Sequence, residues 1–256
     1  MGAAPGRLTE VVVGDDPAAW ASMGFAVGDD GTCRVGTVRI RLVGADDARG
    51  RGLLAWTLAH PGADAFGGDT PGGSRRDSGE HGGPGDREGL GGSSLDGLPT
   101  ILATDTGAEA GGDAGVPGPG GHPNGVTHID HLVVLTPDLD RTTAAIGALG
   151  IEARRTREAG PGRLQRFFRL GEAILELIGP EEPRVDGPAR FYGLAFTVAD
   201  IVATADLLAG RISTPKAAVQ PGRRIATLRA GDAVSVPVAF MSPDGRGTPP
   251  RPGGDA

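Results

Sequence analysis

A chain of 256 residues with 46 glycines, one cysteine and a formal charge of −7 is long enough for one or two cored domains. The acidic balance argues against a nucleic-acid surface, and no apolar run approaches the roughly 18 residues that span a bilayer. The start MGAAPGRLTEVVVGDD lacks a secretory pattern and Cys33 stands alone, so a cytoplasmic protein without a disulfide framework or thiolate metal cluster is expected, with Cys33 as a small buried apolar residue.

In chain order, the run Leu8-Thr9-Glu10-Val11-Val12-Val13 predicts a strand. Asp16 then caps a short helix with Pro17 at its first position and Gly24 past its end. Strands are expected at 32–35 and 37–43, and GLLAWTLA at 52–59 predicts one more. From 61 to 125 about a third of the residues are glycine. Such a composition buries too little apolar surface to offset its ordering entropy, so a mostly disordered linker is expected there. Within it the island Leu98-Pro99-Thr100-Ile101-Leu102 is expected to dock as an edge strand.

Dense patterning returns at 126 and runs to 243, before a Gly/Pro/Arg-rich tail at 244–256 that is expected to be disordered. Here the sequence repeats itself. Leu132-Val133-Val134-Leu135 leads through Asp138 into a helix that stops at Gly150; about sixty residues later Leu194-Ala195-Phe196-Thr197-Val198 leads through Asp200 into one that stops at Gly210. Three strand candidates follow each helix, at 152–156, 163–170 and 173–178, then at 212–219, 224–228 and 234–241. Two strand-helix-strand-strand-strand (βαβββ) modules result, and the 1–60 segment is a degenerate third copy.

This order resembles the vicinal-oxygen-chelate superfamily, with Ile129-Asp130-His131-Leu132-Val133-Val134 in the first strand and Ile174-Leu175-Glu176-Leu177-Ile178 in the last. The resemblance is to its glyoxalase-like branch, with bleomycin-resistance and dioxygenase-type proteins as relatives. It implies an α+β fold in which paired βαβββ modules form an open, U-shaped mixed sheet with the helices outside. It also implies a groove that receives a small oxygenated molecule. His131 and Glu176 match the family's metal-ligand positions, and imidazole with carboxylate suits Fe, Mn, Ni, Co or Zn. In the second module those positions fall on Gly193 and on Val238 or Ala239. The implied cofactor is therefore one divalent ion or none.

Strand parity adds to this. A two-residue hairpin at Gly171-Glu172 puts Gln165, Phe167 and Arg169 on the face of Glu176. These three, with Tyr192 beside Gly193, are the candidate substrate-binding residues, and Glu176 is the candidate catalytic one. His128, three positions before His131, is expected on the opposite face as a surface residue. Gln220-Pro221-Gly222-Arg223 is expected to be an ordinary turn between strands. Two function classes follow: a lyase, isomerase or dioxygenase acting on a small molecule, or a non-catalytic protein that sequesters one. Neither nucleic acid nor membrane is an expected partner, and a homodimer is an arrangement that this fold often takes.

Overall fold

The computed structural model describes residues 6–60, 93–104, 121–183, 186–229 and 233–244. Its first part holds β1 (Arg7–Gly14), α1 (Pro17–Ser22), β2 (Thr32–Val35), β3 (Val38–Leu42), β4 (Gly52–His60), β5 (Ser93–Leu95) and β6 (Leu98–Thr104). The second holds β7 (Val126–Leu135), α2 (Leu139–Gly147), β8 (Ala153–Glu158), β9 (Arg163–Leu170), β10 (Ala173–Pro180), β11 (Arg190–Val198), α3 (Ile201–Leu207), β12 (Lys216–Ala217), β13 (Arg224–Thr227) and β14 (Val238–Met241). Most of the expected disordered linker and tail lies outside the described residues.

The helices are short, and each begins at an aspartate whose carboxylate accepts from the first turn. Asp16 accepts from the Ala18 amide, Asp138 from Arg141, and Asp200 from Val202 and Ala203. Helices of this length are not stable by propensity, so burial of one face must hold them. Leu139, Thr142 and Ile146 supply that face in α2, and Ile201 and Thr204 in α3.

The second part folds into one eight-stranded sheet in the order β12-β13-β14-β11-β7-β10-β9-β8. Within each module the last strand lies parallel to the first: β10 along β7, and β14 along β11. The two first strands, β7 and β11, join the modules as antiparallel neighbours. The strand expected at 212–219 is reduced to Lys216–Ala217, with an isolated bridge from Ile212 to Leu228.

The first part repeats this plan. β1 pairs antiparallel with β4, β3 runs parallel to β1, and β6 runs parallel to β4. Even the irregularities coincide. In the β7–β11 pair the ladder skips Asp130 and Tyr192, and at its end also Thr127; in the β1–β4 pair it skips Thr9 and Leu54, the counterparts of the first two. Aligning these bulges places Leu8 with Ile129, Thr9 with Asp130 and Glu10 with His131. The chain thus carries a fourth module, β4 to β6, beside the three visible in the sequence. The apolar island at 98–102 is its last strand, and it lies inside the sheet because β5 pairs beyond it.

One hydrophobic core joins the two sheets. Leu8, Trp20, Phe25 and Trp56 from the first part meet Leu132, Phe168, Leu175, Phe196 and Phe240 from the second. The Phe25 ring lies 4.9 Å from Trp20 and 5.1 Å from Phe196 between centroids, and Trp56 lies 5.3 Å from Phe191. Asp15, fully buried, accepts from the Ser235 amide and hydroxyl at 2.9 and 2.6 Å. Cys33 is buried here too, and desolvation pushes its thiol up to about 12. It packs as an apolar residue and stays protonated.

Candidate functional site

The alternation of β10 sets the site. Ala173, Leu175 and Leu177 are fully buried in the core, so Ile174, Glu176 and Ile178 take the other face. Across the ladder, Glu176 lies opposite Phe167 on β9 and Val133 on β7. Ile174 lies between Arg169 and His131, and Ile178 opposite Gln165. The hairpin register expected from parity is therefore the observed one.

Glu176 is 9% exposed and carries two polar neighbours. The Gln165 side-chain amide donates to its Oε1 at 2.5 Å, and His131 Nε2 stands 3.5 Å from its Oε2. On the other side of the ring, His131 Nδ1 donates to Asp130 Oδ1 at 2.9 Å. Asp130 also accepts from Thr197 Oγ1 at 2.9 Å and from the Arg223 guanidinium at 2.6 Å. Burial alone would raise the Asp130 pKa. The hydrogen bonds from His131 and Arg223, with the Arg223 charge, overcome that and hold the carboxyl well below the ordinary range. An ionised Asp130 accepts the Nδ1 proton and turns His131 Nε2 toward Glu176.

Two adjoining cavities open over this cluster. One of about 210 Å³ is lined by His131, Glu176, Phe167, Arg155, Arg157 and Gln220. The other, about 390 Å³, is lined by His128, Arg169, Glu172, Arg223 and Asp244. Asp130, Ile174 and Gln220 line both, so they form one groove. Gln165 reaches it through Glu176 and accepts from Arg157 Nε at 2.8 Å, while the Arg157 guanidinium lies 5.0 Å from the Phe167 ring centre. Tyr192 is 47% exposed on its bulge and lines neither cavity.

Asp130, His128, Arg157, Gln220 and Arg223 escape sequence reasoning. The bulge at Asp130 adds a residue to β7, so His128 and His131, an odd number apart, line the same groove. The expectation of an opposite-facing surface His128 is corrected by that one residue. Arg223 follows the Gln220-Pro221-Gly222 turn and is buried against Asp130, with its Nε donating to the Ser242 carbonyl at 2.8 Å. A buried arginine right after a turn is the signal available for it in the sequence, and a weak one.

The donor set offers two metal ligands, His131 Nε2 and Glu176 Oε2. Register places Gly193 and Ala239 at the matching positions of the second module, and neither carries a side-chain donor. Asp130 is committed to Arg223, Thr197 and His131. Among the described residues no group of three acidic, histidine or cysteine side chains is placed to hold an ion. A resident ion normally has three or more protein ligands, so these residues do not fit one.

No family model matches the chain, and no curated protein matches it. Solved structures similar to it include methylmalonyl-CoA epimerase from Mycobacterium tuberculosis, 20% identical over 47% of this chain and 90% of that one, with a TM-score of 0.39. A Streptomyces coelicolor methylmalonyl-CoA epimerase in complex with 2-nitronate-propionyl-CoA is 23% identical over 46% and 94%, with a TM-score of 0.38. A hypothetical protein from Bacillus halodurans C-125 is 17% identical over 47% and 97%, with a TM-score of 0.37. The layout itself is the vicinal-oxygen-chelate fold: βαβββ modules paired through antiparallel first strands, in an open sheet. Among the described residues no helix is long and apolar enough to cross a membrane.

Proposed function

We propose that the groove binds a small oxygenated molecule and that Glu176 exchanges a proton with a carbon of it, an isomerase- or lyase-type step. The observation that carries this is a carboxylate at a cavity floor, 9% exposed, with an amide donor on one oxygen and an oriented imidazole beside the other. A carboxylate so placed meets the geometric need of a general base: fixed, reachable and partly shielded from water. Gln165 holds its orientation, and Asp130 holds that of His131. Arg155 and Arg157 at the rim offer positive charge where an oxyanion would develop.

A second reading is favoured by the second module, whose matching positions are Gly193 and Ala239. A groove whose second module repeats neither His131 nor Glu176, and lines it with Gln220, Arg223 and Asp244 instead, also suits binding without chemistry. One experiment separates the two. Small 2-oxo and 2-substituted acids and thioesters are incubated in heavy water, and deuterium uptake next to the carbonyl is followed by NMR. The wild-type protein exchanges at least one of them, and Glu176→Gln slows that exchange by about 100-fold or more while its melting temperature stays near the wild-type value. Wild-type exchange rates in the Gln variant reject Glu176 as the base. A compound that raises the melting temperature without ever exchanging supports sequestration instead.

A further inference from the structure

Many of the described arginines stand against a carboxylate, and several do not. Arg39 and Arg41 face Glu10, Arg141 faces Asp96, Arg166 faces Asp140 and Arg223 faces Asp130. Of the described arginines that form no ion pair, Arg155, Arg157 and Arg169 are the ones that line the groove. Three guanidiniums without an ion pair thus converge on one groove of a chain whose net charge is −7.

Their placement is specific. β8 carries a bulge at Arg154, so Arg155 and Arg157 both pair squarely with β9, opposite Phe167 and Gln165. Arg155 therefore shares a row of the sheet with Phe167 and Glu176. Arg169 shares the next same-face row with Ile174 and His131. Rows two residues apart on one face are separated by about 6.8 Å. Between them lies an apolar strip, Phe167 and Ile174, bordered by Glu176. The negative side chains of the groove already have partners: Asp130 and Asp244 have Arg223, Glu172 has the Thr37 amide at 2.5 Å, and Glu176 has the Gln165 amide.

We infer that the groove takes a small dianion, a dicarboxylate with two or three carbons between its carboxylates. One carboxylate sits on the Arg155–Arg157 pair in the smaller cavity and the other on Arg169 in the larger one. The carbon chain crosses Phe167 and Ile174, which places a carbon next to a carboxylate at Glu176. This rests on the groove reading above and adds the charge and length of the ligand. Planar guanidinium groups recognise carboxylates through paired hydrogen bonds, which gives direction as well as attraction.

Glutarate and succinate are the probes, compared with glutaramide and with pentanoate in calorimetry and thermal melts at constant ionic strength. The dicarboxylates bind saturably, pentanoate binds at least tenfold more weakly, and glutaramide does not bind. Arg169→Ala and the Arg155→Ala/Arg157→Ala double variant each weaken glutarate at least tenfold. Arg154→Ala, on the bulge and outside both cavities, binds as wild type. The inference is overturned if glutaramide binds as well as glutarate, or if either arginine variant keeps wild-type affinity. It is also overturned if neutral polyols or ketones bind while the dicarboxylates do not, an outcome that leaves the groove reading standing. If no compound of any charge binds, both fall together.

Discussion

Asp130 shows how much one side chain organises here. It is 8% exposed, bonds His131, Thr197 and Arg223 at once, and so ties the first module to the second. Its folded pKa lies below the unfolded value of about 3.9. Its contribution to stability is therefore fully present above that value and is lost as pH falls through the folded one. Asp130→Asn keeps the shape but leaves Arg223 as a buried cation whose one remaining carboxylate is the exposed Asp244, 3.3 Å from its Nε. Breaking such a pair costs about 3–5 kcal/mol. Urea denaturation at pH 7 is expected to show that loss, and the gap to wild type is expected to narrow as pH is lowered from 4 toward 2. An unchanged midpoint at pH 7 would mean that the pair contributes nothing net.

At the scale of elements, the bulges decide what faces the groove. Where β9 and β10 form a regular hairpin, parity predicts the placement of Gln165, Phe167, Arg169 and Glu176, because a period of two persists as long as the ladder does. At Asp130 and Tyr192 the ladder gains a residue, and no residue type at these positions announces it. That is why Asp130 and His128 are not legible in the sequence while Glu176 is; Arg223 is hidden instead by its place just after a turn. The fourth module was hidden for a related reason: the sequence between β4 and β5, outside the described residues, is glycine-rich and carries no apolar periodicity. Gly193 marks the far side of the Tyr192 bulge. A Cβ there would meet the Pro237 carbonyl oxygen at 2.6 Å, a backbone atom that cannot rotate away. Gly193→Ala is expected to destabilise by about 1–3 kcal/mol, seen as a lower denaturation midpoint with an unchanged slope. A neutral effect would show that β11 and β14 can separate without loss.

The whole molecule is held by contacts between distant parts of the chain, and one of them titrates. His122 Nδ1 accepts from the Ala26 amide at 3.0 Å, so its Nε2 carries the proton given to the Arg34 carbonyl at 2.9 Å. Burial lowers its pKa, only partly opposed by that carbonyl. The neutral form belongs to the fold, so its stability is present above the unfolded value of about 6.5 and drains away as pH falls through the folded one. Calorimetry from pH 7.5 to 5 is expected to show a falling melting temperature, and His122→Asn is expected to flatten that slope while lowering the plateau. A slope equal to wild type would assign the acid sensitivity elsewhere. The bond from Ser235 to Asp15 spans 220 positions. During synthesis Asp15 therefore leaves the ribosome long before the strand that satisfies it. The nascent first sheet must wait with its apolar face uncovered, so completion of the fold is a late event that favours chaperone protection of the early half.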